Sequence, residues 1–148
     1  MQFKITQLFT LFIGLAIGLH QVKAQGFEGY YQHPDIHGNT IVFVAEGDIW
    51  KVPIEGGLAQ RLTTHAEEEL SPIISPDGKT IAFSASYEGP REVYTMPLEG
   101  GLPIRRTYQG SRARSWTPDG KIIYSTGVFN KFPESQLVTL DLESKTKT

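Results

Sequence analysis

From Trp50 to Ile54 apolar residues take every second place, with Trp50, Val52 and Ile54 on one side and Lys51 and Pro53 on the other. Period-two alternation of this kind predicts a half-buried β-strand. The same stretch returns 44 residues later as Tyr94, Met96 and Leu98 against Thr95 and Pro97, and again as Val138, Leu140 and Leu142 against Thr139 and Asp141. Pro53 and Pro97 fall at strand ends, where a missing N–H is tolerated. Glu55-Gly56-Gly57 recurs at the same offset as Glu99-Gly100-Gly101.

A second unit repeats alongside the first. Ser75-Pro76-Asp77-Gly78-Lys79-Thr80-Ile81-Ala82-Phe83-Ser84 reappears as Thr117-Pro118-Asp119-Gly120-Lys121-Ile122-Ile123-Tyr124-Ser125, with a worn copy at His37-Gly38-Asn39-Thr40-Ile41-Val42-Phe43-Val44. Pro presets the first turn position, Gly accepts φ > 0, and the apolar run that follows suits a pleated strand. The second repeat therefore holds four expected strands, at 72–75, 80–86, 92–97 and 103–108. The second of these is apolar enough to be covered on both faces, and the fourth, with Arg105 and Arg106, is polar enough for an outer edge. No stretch after Gln25 shows a 3.6-residue apolar stripe. Four short antiparallel strands every 40 to 45 residues point to an all-β chain, a partial β-propeller of two complete four-stranded blades and an incomplete third. The expected divisions are a lead-in at 25–32, with Tyr30 and Tyr31 packing on the first blade, then blades at 33–69, 70–113 and 114–148.

At the 44-residue offset Pro103 and Ile104 map onto Lys147 and Thr148, so the third blade stops where its outer strand begins. Closed propellers need about four to eight blades. The expectation is an N-terminal part of a longer protein, with a premature stop or assembly of several chains into a ring as alternatives.

Residues 1–24 stand apart. Lys4 precedes an apolar run from Leu8 to Leu19, and Val22-Lys23-Ala24 offers a cleavage site before Gln25. This is the layout of a secretory signal peptide with a short helical core, below the roughly 20 residues needed to span a bilayer. A soluble secreted or periplasmic product without a stable membrane anchor is expected. The chain has no cysteine, which excludes disulfides, a thiolate metal site and a cysteine nucleophile. Without Lys4 and Lys23, 12 basic residues face 16 acidic ones, and the basic residues are scattered, so nucleic acid is not an expected partner.

The blade wording, Ser75-Pro76-Asp77-Gly78-Lys79 through Ile81-Ala82-Phe83-Ser84 to Val93-Tyr94-Thr95-Met96-Pro97-Leu98-Glu99-Gly100-Gly101 and Arg105-Arg106-Thr107, resembles the propeller repeat of tricorn-type peptidases and of the Tol-system periplasmic propeller protein. The opening His33-Pro34-Asp35-Ile36-His37-Gly38, with Ile41-Val42-Phe43-Val44, Gly47-Asp48-Ile49-Trp50 and Arg61-Leu62-Thr63-Thr64-His65, is more similar to the first blade of a tricorn-type peptidase. The likeness spans residues 30–148. It implies a large serine peptidase whose N-terminal propellers gate peptides toward catalytic domains farther along, beyond a second propeller and a PDZ-like module. Its implied partners are peptide or protein substrates and the remaining domains of a longer chain. The family's serine, histidine and glutamate have no matching positions, so no catalytic residue is assigned and no peptidase activity is expected of this chain. The archetypal tricorn enzyme is cytosolic, whereas the leader favours an exported relative. Two other readings are an exported non-catalytic propeller that binds protein partners, as the Tol-system protein does, and the propeller of an amidohydrolase-like metal enzyme.

Individual residues are weighed against that background. His20 lies in the leader. His33 and His37, with Asp35 between them, invite a metal or base reading, but paired ligands without a third placed by the strand pattern make a poor site, and they are read as residues flanking the first turn. His65 and Glu67-Glu68-Glu69 are read as a solvated loop; the alternative is that this loop lines one mouth of the ring and meets charged peptide ends, with Arg112 and Arg114 of the equivalent connection after the second blade offering opposite charge. Asp77-Gly78 and Asp119-Gly120 lack the alternating ligands of a calcium loop, and the two Glu-Gly-Gly turns precede no helix that would bind phosphate. Trp50 and Trp116 occupy blade positions filled elsewhere by Tyr94 and Ile74, which marks them as packing residues. No metal, cofactor or catalytic site is assigned.

Overall fold

The computed structural model describes residues 29–127 and 136–148, and the leader expected at 1–24 lies outside them. The described residues form three antiparallel sheets and no helix. The first is β1 (Gln32–His37), β2 (Thr40–Ala45), β3 (Asp48–Pro53) and β4 (Gln60–Arg61), paired in that order. The second repeats it with β5 (Glu69–Ile74), β6 (Thr80–Ala85), β7 (Glu92–Pro97) and β8 (Ile104–Arg105). The third has β9 (Ser111–Trp116), β10 (Ile122–Thr126) and β11 (Gln136–Leu140). Successive sheets stack with β1 against β5 and β5 against β9. Two full blades and a partial third are the architecture the alternation called for.

Register shows how closely the sheets repeat. Phe43 pairs with Trp50, Phe83 with Tyr94, and Tyr124 with Val138. Trp116 pairs with Ile122 as Ile74 pairs with Ile81, so Trp116 does take the place of Ile74. The third sheet lacks a full fourth strand, but its first pairing is present. Thr139 and Thr148 exchange backbone hydrogen bonds of 2.8 and 3.1 Å, where β7 and β8 pair Thr95 with Ile104. The turns differ by one residue: Ser75 N bonds Thr80 O, whereas Thr117 N bonds Lys121 O.

Alternation sends the two faces of each sheet to different neighbours. Ile81, Phe83, Tyr94 and Met96 of the second sheet join Val42 and Ile49 of the first in one core. Ala82 and Val93, on the opposite face, join Ala113, Ile122, Tyr124 and Leu140 of the third in another. Phe83 and Ile81 are fully buried, and side chains of this size contribute about 1.5–3 kcal/mol each when removed from water. The central sheet is thus covered on both faces.

Several details depart from the expected elements. The fourth strand, expected over 103–108, is only Ile104–Arg105. Pro103 brings no N–H, and after Arg106 N bonds Val93 O the Thr107 hydroxyl takes over, accepting from Val93 N at 2.8 Å. The strand expected from Pro72 begins at Glu69 and bulges between Leu70 and Ile73, where Ser71 has a φ of 52°. β9 begins at Ser111, so the division expected at 113/114 falls inside a strand. Tyr31 packs edge-on against Phe43 at 5.2 Å but stays 63% exposed, and Tyr30 is exposed as well.

Candidate functional site

The polar chemistry gathers at the end of the sheets that carries the β2–β3 and β6–β7 turns. There a clasp is built twice, 44 residues apart. In the first sheet Arg61 pairs with Asp48 through Nη2, and its Nε donates to Thr63 O at 3.0 Å. Thr63 Oγ1 accepts from Ile49 N at 2.8 Å, and Asp48 accepts from His65 N at 3.2 Å. In the second sheet Arg105 bonds Glu92 at 3.2 Å and Thr107 O at 2.9 Å, and Glu92 accepts from Gly110 N at 2.8 Å. Each clasp ties the outermost strand and the loop after it to the inner ladder. Asp48 and Glu92 are buried, so the paired guanidinium and hydrogen bonds offset their desolvation.

The copies differ in one atom's reach. Glu92 is a carbon longer than Asp48 and accepts the Thr107 hydroxyl at 2.5 Å. The corresponding Thr63 hydroxyl donates instead to Glu69 of the next sheet, at 2.8 Å. Glu69 also accepts from Tyr87 at 2.5 Å, and the Tyr87 ring lies 4.0 Å from that of His65. Burial pushes the Glu69 carboxyl above its ordinary range, with the bonds from Tyr87 and Thr63 working against it. Burial also pushes the Tyr87 phenol up, reinforced by its bond to Glu69. Glu69 is therefore no member of a solvated loop, as the acidic run suggested, because it is the first residue of an inner strand and is wholly enclosed. Glu67 and Glu68 are exposed.

Two recesses lie beside these clasps, at corresponding places in successive repeats. One is lined by Glu46, Glu68, Glu69 and Leu70, with a volume of about 380 Å³ for its partner and about 280 Å³ for itself. That partner is lined by Arg91, Arg112, Arg114, Ser111 and Ser125. Arg114 Nε donates to Ser125 Oγ at 2.9 Å, while the enclosed Nε of Arg91 has no hydrogen-bond partner among the described residues. An enclosed cationic donor left unpaired costs free energy until an acceptor reaches it. The basic recess is thus suited to an anion with several acceptor oxygens.

Arg112 and Arg114 belong to strand β9 rather than to a connection, and among the described residues neither forms an ion pair with the Glu67–Glu69 run. His33, Asp35 and His37 lie along β1, and of the three only His37 flanks the turn, which is Gly38-Asn39. Asp35 accepts from Ile74 N at 2.7 Å and staples β1 to β5, and His37 packs beside Gly78. Among the described residues no three His, Asp or Glu side chains gather as metal ligands. His65 Nδ1 accepts from Glu67 N at 3.0 Å, so that nitrogen is not free to act as a base. Asp77 accepts from Ser75 Oγ and Lys79 N, and Asp119 pairs with Lys121 at 2.8 Å, both as turn closures. Trp50 Nε1 donates to Ala45 O and Trp116 Nε1 to Ile73 O, consistent with packing. Sequence reasoning missed the clasps and Arg91. The Arg-x-Thr echo at 61–63 and 105–107 was the available signal for the clasps; nothing local marked Arg91.

Comparison with known proteins gives the fold a lineage. Residues 28–148 match the family model of the tricorn protease N-terminal beta propeller domain. Tricorn protease homolog 1 of Streptomyces coelicolor is 38% identical over 97 residues, covering 64% of this chain and 9% of that protein. The putative tricorn-like protease N-terminal subunit of Sulfurisphaera tokodaii is 32% identical over 114 residues, covering 72% of this chain and 57% of the relative. The chain therefore spans less than two thirds of the length of these relatives. Among solved structures, putative TolB from Agrobacterium tumefaciens superimposes with a TM-score of 0.71 at 23% identity, over 81% of this chain and 45% of that one. The tricorn protease crystal structure gives 0.68 at 24% identity, over 77% and 12%. These two likenesses speak for the fold. Together with the doubled clasp and the three-sheet register, the family match means that this chain belongs to the tricorn protease N-terminal β-propeller family.

Proposed function

We propose that this chain is the opening part of the propeller of an exported tricorn-type serine peptidase, and that it binds or admits peptides for catalytic domains carried elsewhere. The observation that carries the reading is the recess lined by Arg91, Arg112 and Arg114, where the enclosed Nε of Arg91 is unpaired among the described residues. A peptide offers a carboxylate at its C-terminus or on acidic side chains, and the guanidinium fork matches that shape. The acidic recess at the corresponding place of the preceding repeat complements the ammonium end. No residue of this chain is assigned to bond cleavage.

Calorimetric titration with short peptides tests the binding step. Peptides with a free C-terminus should bind, and amidated ones should bind at least about tenfold more weakly, since a charge-assisted hydrogen bond contributes about 1.5–3 kcal/mol. Arg112→Ala and Arg114→Ala should each reduce the preference. Equal affinity for free and amidated peptides would count against the reading. Export is tested separately by N-terminal sequencing of the product released by an exporting host, which should begin at Gln25. A second reading, a propeller that binds protein partners without catalysis, draws on the Tol-Pal system protein TolB of Desulfosudis oleivorans, 31% identical over 111 residues and 25% of that protein. A PDZ-like module and a peptidase domain downstream in the reading frame would favour the first reading.

A further inference from the structure

The two seams between sheets differ at their outer edge. Between the first and second sheets that edge is strapped: Lys51 Nζ crosses the seam to donate to Leu98 O at 3.3 Å and to pair with Glu99 at 2.7 Å. The 44-residue echo puts Thr95, Leu142 and Glu143 where Lys51, Leu98 and Glu99 stand. A threonine is too short to span the seam, and Thr95 Oγ1 instead accepts from Arg106 Nε of its own sheet at 2.6 Å. Between the second and third sheets there is accordingly an open groove of about 400 Å³, running between β8 and the turn that follows β11. The residues a strap would reach are in place, so the groove opens where the strapping lysine is exchanged for threonine.

The lining combines charge of one sign with apolar surface. Arg106, Lys145 and Lys147 supply three cations, and among the described residues no carboxylate pairs with any of them. Asp141 also lines the groove, but its Oδ1 is engaged by Glu143 N and Ser144 N at 2.9 and 3.0 Å. Ile104 is 53% exposed, and the half-buried Leu142 faces the same groove. We propose that this groove binds an acidic, leucine-bearing segment of a partner protein, with carboxylates on Arg106, Lys145 and Lys147 and apolar side chains on Ile104 and Leu142. Charge complementarity selects that occupant: three unpaired cations repel a basic segment and attract an acidic one. The apolar positions between them suit a peptide better than a small anion. The groove shares no residue with the recess of Arg91, Arg112 and Arg114.

The probe is a fluorescein-labelled peptide of glutamates with a leucine at every third place, blocked at both ends so that no terminal carboxylate takes part. Titrated with the full chain and followed by fluorescence anisotropy, it should bind, and more weakly as salt rises from about 50 to about 500 mM, because exposed charges are screened. A peptide with lysine for each glutamate should not bind, and one with glycine for each leucine should bind at least about tenfold more weakly. Lys145→Glu reverses a charge on an exposed turn, so folding is retained and affinity should fall at least about tenfold, as it should for Arg106→Gln. Thr95→Lys supplies the missing strap toward Leu142 O and Glu143 and should close the groove with a similar loss, while circular dichroism of each variant matches the parent. If Thr95→Lys does not fold, the other two variants still decide. Absence of binding, unchanged affinity in Lys145→Glu and Arg106→Gln, or equal binding of the basic or the leucine-free peptide would overturn the proposal. So would a loss on Arg112→Ala with Lys145→Glu at parental affinity, which would seat the peptide in the other recess.

Discussion

Glu69 is fully buried, and its two oxygens meet the hydroxyls of Thr63 and Tyr87. No cation is bonded to it among the described residues; Asp48 opposes its ionisation, and His65 favours it more weakly. Its folded pKa is raised above the ordinary 4.5, so folding favours the protonated form. The linked stability is present below that ordinary value and is lost as pH rises through the folded one. Glu69→Gln gives up one acceptor at every pH but cannot ionise. Melting temperatures of the two proteins, compared between pH 4.5 and 8, should therefore shift in favour of the variant as pH rises. A difference that stays constant would mean that Glu69 ionises as readily in the fold as out of it. Thr107 gives a second test at this scale. Thr107→Val strands Val93 N and removes a donor from Glu92, at a cost of about 1–3 kcal/mol in chemical denaturation. A loss below about 0.5 kcal/mol would show that the hydroxyl merely fills space.

Among the elements, the Pro-Asp-Gly turns look alike in sequence yet sit in different surroundings. Gly78 and Gly120 have φ values of 69° and 84°, so alanine is strained at both. A methyl group on Gly78 would come within 2.8 Å of the His37 ring, whereas nothing lies within 4 Å of one on Gly120. Gly78→Ala should destabilise more than Gly120→Ala, and His37→Ala should narrow the gap. Equal losses would place the whole effect in the backbone. The strand β7 spans the residues its alternation marked, because local period and tertiary contacts agree there. At β8 they disagree, since a threonine hydroxyl substitutes for the ladder two residues early. The bulge at Ser71 was illegible, because no glycine announces the left-handed backbone.

Across the whole molecule, one repeat logic stacks the three sheets. Period-two alternation and the 44-residue echo were enough to establish an all-β chain of repeated blades, because side chains alternate across any pleated strand wherever it lies. They also placed Lys147 and Thr148 at the start of an outer strand, since strand spacing is a local property, and Thr148 there pairs with Thr139. The burial of Glu69, the joining of Arg91 with Arg112 and Arg114 around one recess, and the stapling of Asp35 to Ile74 depended on how one sheet is laid against the next. Those contacts cross between repeats, and no residue's immediate neighbours encode the packing that brings them together.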